Sequence, residues 1–292
     1  MPTQESANVS PYVVGPMIRD PKYFFGRESE LTFLYNRMTG PQLTSVNIYG
    51  PRRIGKSSLM YHFYQTWQNS VENRTKYIVA YIDLKAINCT STMLFYQTIA
   101  DGLRRAADTT VPSHTKIIKS LHNVDNYQDF ESALLDFEQS KICPILCIDE
   151  FEVLLKRIDQ FDNNFFNNMR SLTNRSMIML IITSIIPLGR LKFICKLTSE
   201  FFNGGNHINL GGFKEKEIGL FLRASQFYKR EKEEIRFLGK NHPFALALAA
   251  TDTIETRTSG GIEQARKKFH QEIQVHRDVL DWLESNNQAI QP

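Results

Sequence analysis

The sequence predicts an α/β fold, three layers of α/β/α around a mainly parallel sheet, with a helical region after it. Three observations carry that prediction. Four short apolar runs alternate with stretches of helical spacing, a glycine-rich turn separates the first run from a helix, and strand signals stop at about residue 212. Nearly continuous apolar runs mark strands covered on both faces, as in parallel sheets with helical crossovers.

In chain order, the first twenty residues are polar and dotted with Pro and Gly, and read as an extended arm. Leu31, Leu34 and Met38 give Glu28–Met38 the spacing of a short amphipathic helix. Thr44–Tyr49 (TSVNIY) is rich in β-formers and runs into the glycine turn, after which Lys56–Trp67 has helical spacing. A second strand is predicted at Tyr77–Leu84 and a helix over Met93–Ala107. Residues 108–127 are polar, carry Pro112, Asn123 and Asn126, and read as a loop. A helix over Tyr127–Gln139 leads to the third strand, Ile142–Asp149, and a helix over Phe161–Thr173 to the fourth, Met177–Ser184. Helical spacing then covers Lys214–Tyr228, Glu231–Leu238, Pro243–Ala250 and Gly261–Glu284, and the polar tail from Ser285 reads as frayed. The expected domains are an arm over 1–22, an α/β domain over 23–212, and a helical domain over 213–292 that includes the start of a winged helix near Phe269–Leu283.

At 292 residues there is room for one large domain or two modest ones. Hydrophobic residues at 42% and charged residues at 23% match a globular chain and exclude a disordered one. Lysine and arginine number 35 against 31 acidic residues, an excess of +4 that is too thin to point to nucleic acid. Arg52-Arg53, Arg104-Arg105 and Arg266-Lys267-Lys268 are scattered and read as solvated surface. Cys89, Cys143, Cys147 and Cys195 lack metal-ligand spacing; Cys143 and Cys147 fall in an apolar run and read as small core hydrophobes, and the expected interior is a reducing one. Met177–Leu188 is too short to span a bilayer and no signal peptide is visible, so the expectation is a cytoplasmic protein without a membrane partner.

Chemistry concentrates in Gly50-Pro51-Arg52-Arg53-Ile54-Gly55-Lys56-Ser57, which matches G-x-x-x-x-G-K-[ST] at every fixed position. Glycines let successive backbone N–H groups turn inward toward phosphates, and the following helix adds its positive end. Lys56 is expected at the β- and γ-phosphates of ATP, and the Ser57 hydroxyl on Mg²⁺. The bland alternative, a chance glycine turn, has a strand before it and a helix after it to explain. Ile145–Asp149 is an apolar strand ending in two carboxylates, Asp149 and Glu150. Asp149 is expected near the metal and Glu150 as the base for an attacking water. Acids also enter loops for no chemical reason; the upstream phosphate loop tips this pair toward function. Thr183 and Ser184, ending the fourth strand, can touch the γ-phosphate or water, or cap their own backbone. Both readings stand. The fold class is that of a P-loop NTPase.

A wider set of segments resembles the bacterial AAA-like ATPases of the STAND group, signal-transduction ATPases with numerous domains. These are Pro11–Pro16 (PYVVGP), Phe24–Leu31 (FFGRESEL), Val46–Leu59, Ile148–Glu152 (IDEFE), Ser199–Phe213 and Asn241–Phe244 (NHPF). The resemblance covers about residues 11 to 250 and is related to the origin-recognition-like AAA+ clade. It implies that Phe25, Gly26 and Arg27 lie against adenine and ribose, that Gly50 through Ser58 hold the phosphates, and that Pro243 approaches the base from the start of a lid helix. It departs from many relatives in having Gly239-Lys240-Asn241 before His242, where a glycine is usual immediately before the histidine. No arginine finger can be placed; Arg170, Arg175 and Arg190 are candidates, Arg190 the preferred one, and STAND proteins commonly lack one. That implies slow hydrolysis.

The leading expectation is therefore a Mg²⁺-dependent, ATP-binding and slowly hydrolysing regulatory or defence switch, with ATP and ADP as ligands and a protein partner or a second copy for output. A DNA-associated ATPase of the origin-recognition-like type is the alternative; it needs a complete winged helix and a basic stripe. A nucleotide-holding scaffold is disfavoured by intact Lys56, Ser57, Asp149 and Glu150, and a small-molecule kinase by the lack of an acceptor site.

Overall fold

The computed structural model describes residues 10–285. The first part of the expected arm and the polar tail beyond Ser285 lie outside those residues.

Five strands form one sheet: β1 (Val46–Tyr49), β2 (Tyr77–Asp83), β3 (Cys143–Asp149), β4 (Met179–Ser184) and β5 (Asn206–Asn209). Their order is β2-β3-β4-β1-β5, and every neighbouring pair is parallel. The predicted parallel α/β fold is the observed one. All six residues of β4 and six of the seven in β3 are buried. Side chains alternate between faces along a strand, so unbroken burial means that both faces are covered.

The helices are α1 (Glu28–Thr39), α2 (Lys56–Thr66), α3 (Thr92–Thr110), α4 (Thr115–Ser120), α5 (Tyr127–Gln139), α6 (Asn163–Asn174), α7 (Leu188–Ile194), α8 (Glu215–Arg223), α9 (Lys229–Gly239), α10 (Pro243–Thr256), α11 (Gly261–Ile273) and α12 (Arg277–Ser285). Local chemistry sets several of their starts. Ser91 accepts from the Leu94 amide at 3.2 Å, Asn126 from Asp129 at 3.0 Å and Asp162 from Phe165 at 2.9 Å, each satisfying an orphan donor of a first turn.

Several elements depart from the sequence reading, α7 among them, which it left unassigned. The stretch read as a loop over 108–127 contains α4, because Ile117 and Leu121 sit four residues apart and both enter the core. β5 escapes an apolar-run criterion, since only Ile208 of its four residues is buried. The single helix expected over Gly261–Glu284 is two, separated where the His276 amide turns back to the Ile273 carbonyl at 2.9 Å.

The chain packs as two compact units. One is Ser29–Gly50 with Leu59–Asn209; the other comprises the described parts of Met1–Glu28, Pro51–Ser58 and Leu210–Pro292. The first, the sheet unit, has a core of strand residues such as Leu146, Ile148 and Leu180 packed with Phe95, Phe130, Phe161 and Phe166. Each fully buried side chain of this size contributes roughly 2–3 kcal/mol. The second, the helical unit, is built on α10, where alanines let α9 and α11 approach closely and nearly every residue is buried. Tyr12 belongs to this core: its hydroxyl donates to the Phe221 carbonyl at 3.0 Å and its ring lies 4.3 Å from that of Phe221. The described part of the arm has neither α-helix nor strand, only bends and the short 3-10 turn Pro21–Tyr23, yet it is anchored at Tyr12.

Candidate functional site

The sheet unit gathers its chemistry at the carboxyl ends of the strands. Register sets Asp149 beside Asp83, Ile148 beside Ile182 and Ile48 beside Thr183. The strand order reverses direction about β1, and such a switch point is where open parallel sheets bind ligands. Gly50 leaves β1 at this end.

Asp149 is 3% exposed and heavily engaged. Thr183 Oγ1 donates to its Oδ1, and Tyr81 Oη donates to its Oδ2 at 2.8 Å. Burial, together with the neighbouring Asp149 carboxylate, pushes the Tyr81 phenol well above its ordinary range. The Glu150 amide in turn donates to Thr183 Oγ1 at 3.0 Å and to Asp149 Oδ1 at 3.2 Å. Those bonds hold Glu150 with φ 57° and ψ 45°, a left-handed conformation costly for a residue with a Cβ. Ser184 is differently committed. Its hydroxyl donates to the Ile186 carbonyl at 2.7 Å and accepts from Asn47 Nδ2 at 2.9 Å, while Asn47 Oδ1 accepts from the Leu188 amide at 3.3 Å. The structure thus brings Asp149, Glu150 and Thr183 together, and ties Ser184 to the segment leading into α7.

In the helical unit the glycine loop runs from Pro51 into the first turn of α2. Lys56 Nζ donates to the Pro51 carbonyl at 2.9 Å, curling the loop on itself. Gly55 has φ +99°, which a side-chain-bearing residue adopts only under strain. Arg27 is 4% exposed and braces the loop: it donates to the Ile54 carbonyl at 3.3 Å and the Gly211 carbonyl at 2.6 Å, and stacks 4.9 Å from the Phe213 ring. Gly26 lets this happen, since a Cβ there would come within 2.9 Å of Glu217, whose Oε1 accepts the Arg27 amide. Phe25 packs edge-on against Phe221 at 5.6 Å. Arg53 lies 4.7 Å over Phe244, Arg52 is exposed 3.9 Å from Asp278, and Ser58 Oγ accepts the Ile18 amide at 3.1 Å. Ile54 is fully buried and Ser57 half-buried.

Pro243 opens α10, with His242 just before it. His242 is wholly buried, edge-on to Trp282 at 5.0 Å, and neither ring nitrogen has a protein hydrogen-bond partner among the described residues. Burial, aided by the positive charges of Arg27 and Arg53, pushes its pKa down to about 3, so the ring is neutral. Of the arginines considered as fingers, Arg175 pairs with Glu131, while Arg170 and Arg190 are exposed.

Residues 24–248 match the profile of a family described as an ATPase domain predominantly from Archaea. The chain belongs to this family. No curated protein matches the sequence significantly. Similar solved structures include a Walker-type ATPase of Pyrococcus abyssi, at 16% identity and TM-score 0.67, covering 96% of this chain and 80% of that one. The Aeropyrum pernix ORC2 protein, in ADPNP–ADP complexes, is similar at 14% identity and TM-score 0.60, over 89% of this chain and 69% of that one. Drosophila ORC bound to DNA is similar at 12% identity and TM-score 0.58, over 94% and 68%. At these identities the likeness is one of fold, and that fold is the P-loop NTPase fold.

Sequence reasoning about this ATPase domain missed Tyr81 and Asn47. Both sit inside strands whose apolar neighbours dominate the pattern; the one available signal was a polar residue at a buried strand position. Among the described residues no helix is long and apolar enough to cross a membrane, and no three His, Cys, Asp or Glu residues cluster as metal ligands.

Proposed function

We propose that this ATPase domain binds ATP with Mg²⁺ and hydrolyses it slowly, acting as a nucleotide-controlled regulatory switch of the STAND kind. The observation that carries the reading is Asp149 and Glu150, fixed by Thr183 at the same sheet end from which β1 feeds the glycine loop. A buried carboxylate oriented by two hydroxyls, followed by an acid held in a left-handed conformation, supports a functional site over a plain strand end.

Mg²⁺ suits the residues present. It keeps most of its waters and takes one or two protein oxygens plus phosphates, so the lack of a three-residue ligand cluster among the described residues is no obstacle. Ser57 and Asp149 would be its protein partners, and the ion would supply neutralisation of phosphate charge. Lys56 would donate to β- and γ-phosphate oxygens, with the amides of Gly50 through Ser58 cradling the rest. Glu150 would accept the proton of the attacking water, and Thr183 keeps that residue and Asp149 in place. Phe25, Gly26, Arg27 and Pro243 would frame the base and ribose; the orphaned nitrogens of neutral His242 support a polar ligand nearby. Turnover would be slow because no arginine is assigned to the transition-state charge. The switch follows if ATP contacts differ between two conformations. Output would pass to a protein partner or a second copy, and the cytoplasm is the expected compartment.

The test is thermal unfolding with ATP, ADP and GTP on the parent and on Lys56→Ala. Adenine nucleotides should raise the parent's Tm by mass action, and the variant should lose the gain. A parent that ignores all three nucleotides would overturn the reading.

A further inference from the structure

Asp149 is reached from both neighbouring strands. Thr183 on β4 bonds one carboxylate oxygen, and Tyr81 on edge strand β2 bonds the other at 2.8 Å. The Tyr81 ring is itself fixed by α2, lying edge-on to Tyr61 at 5.1 Å and tilted against Tyr64 at 5.8 Å. A carboxylate has two torsions; a hydroxyl on each oxygen, from opposite sides, leaves it one orientation. Ring packing alone would be served equally by phenylalanine, so the hydroxyl does something the aromatic cluster does not require.

We propose that Tyr81 is a positioning residue that holds Asp149 in its metal-binding orientation, an inference that rests on the reading of Asp149 as a Mg²⁺ partner. Tyr81 donates to Oδ2 and, with Thr183 on Oδ1, fixes the plane of the carboxylate. Outer-shell donors of this kind typically change metal affinity about 10–100-fold when removed. The position on β2 also joins the metal-facing acid to α2, the helix that the glycine loop opens into, through Tyr61 and Tyr64.

The experiment uses Tyr81→Phe, which keeps the ring, with Tyr61→Phe as a control that removes a hydroxyl whose recorded bond is to Gln65 on the surface. Two quantities are read: Mn²⁺ affinity in saturating ADP, from the electron paramagnetic resonance of unbound Mn²⁺, and ADP affinity without divalent ions, from calorimetry. Tyr81→Phe should weaken Mn²⁺ binding about tenfold and leave metal-free ADP affinity within about twofold, with Tyr61→Phe like the parent. Adding Tyr81→Phe to Asp149→Asn should cost nothing further, since residues acting through one another are not additive. Equal Mn²⁺ affinity in parent and Tyr81→Phe overturns the inference alone. So does an equal loss of metal-free ADP affinity, which would make Tyr81 a prop of the fold. A parent that binds ADP but no Mn²⁺ removes the underlying reading of Asp149, and the inference with it.

Discussion

The two units of this ATPase domain carry opposite chemistries. In the sheet unit the candidate site groups are acids: the Asp149 carboxylate is held by two hydroxyls, and the Glu150 backbone by its amide bonds. In the helical unit the groups are cations, Arg27, Arg53 and Lys56, spent on backbone carbonyls and aromatic faces, beside a histidine kept neutral. The contrast has a physical cause. Strand ends deliver side chains in fixed register, so acids there can be oriented for reaction; loops gain shape from cations that bridge carbonyls.

That contrast can be broken at three points, the largest effect first. Glu150→Gln in the sheet unit should slow phosphate release about 100-fold or more, the usual scale for a lost general base. The ATP-induced rise in Tm should survive it, and turnover at the parental rate would remove Glu150 from the mechanism. In the helical unit, Arg27→Ala should behave in the other way and cost stability first, about 3 kcal/mol, because two carbonyls and a ring lose a buried cation. Urea unfolding measures this. A loss under about 0.5 kcal/mol would mean that Arg27 braces nothing.

The smallest effect sharpens the comparison within the helical unit. His242 has its pKa lowered from 6.5 to about 3, so below pH 6.5 the unfolded chain binds a proton that the folded one refuses. Stability then falls as pH drops, by at most about 1.4 kcal/mol per unit. Asp252 runs the opposite way. Burial, offset in part by Lys268 2.8 Å away, raises its pKa from 3.8 to about 6, so folding takes up a proton between those values and stability rises as pH drops. The two slopes oppose each other between about pH 6 and 4. His242→Asn should therefore uncover a gain in stability on acidification across that window, read by unfolding at stepped pH. An unchanged profile would show that His242 titrates normally.

Much of the sheet unit was legible in the sequence, since β2, β3 and β4 announce themselves as apolar runs and the glycine loop has fixed positions. β5 was not, because one buried isoleucine among polar neighbours makes no pattern. Thr183 and Ser184 could not be told apart: both are strand-end hydroxyls, and only the bond of one to Asp149 and of the other to Ile186 separates them. Tyr81 was hidden for a similar reason. Its partner lies sixty-eight positions away, beyond any local periodicity. In the helical unit the helices were visible, but nothing local says that Tyr12 or the loop Pro51–Ser58 packs with them. The FFGRE segment was read for its contacts with a ligand, and nothing local foretold that its arginine also bonds the Ile54 and Gly211 carbonyls.

Tyr12 also sets a schedule. Its hydrogen-bond partner Phe221 lies 209 positions later. During synthesis at about 5–20 residues per second, the sheet strands are complete while the tyrosine still waits for α8. Tyr12 can therefore take its place in the helical core only after most of the chain has emerged. A nascent chain arrested so that residue 212 has just cleared the ribosomal exit tunnel should hold a formed sheet with Tyr12 still open to protease.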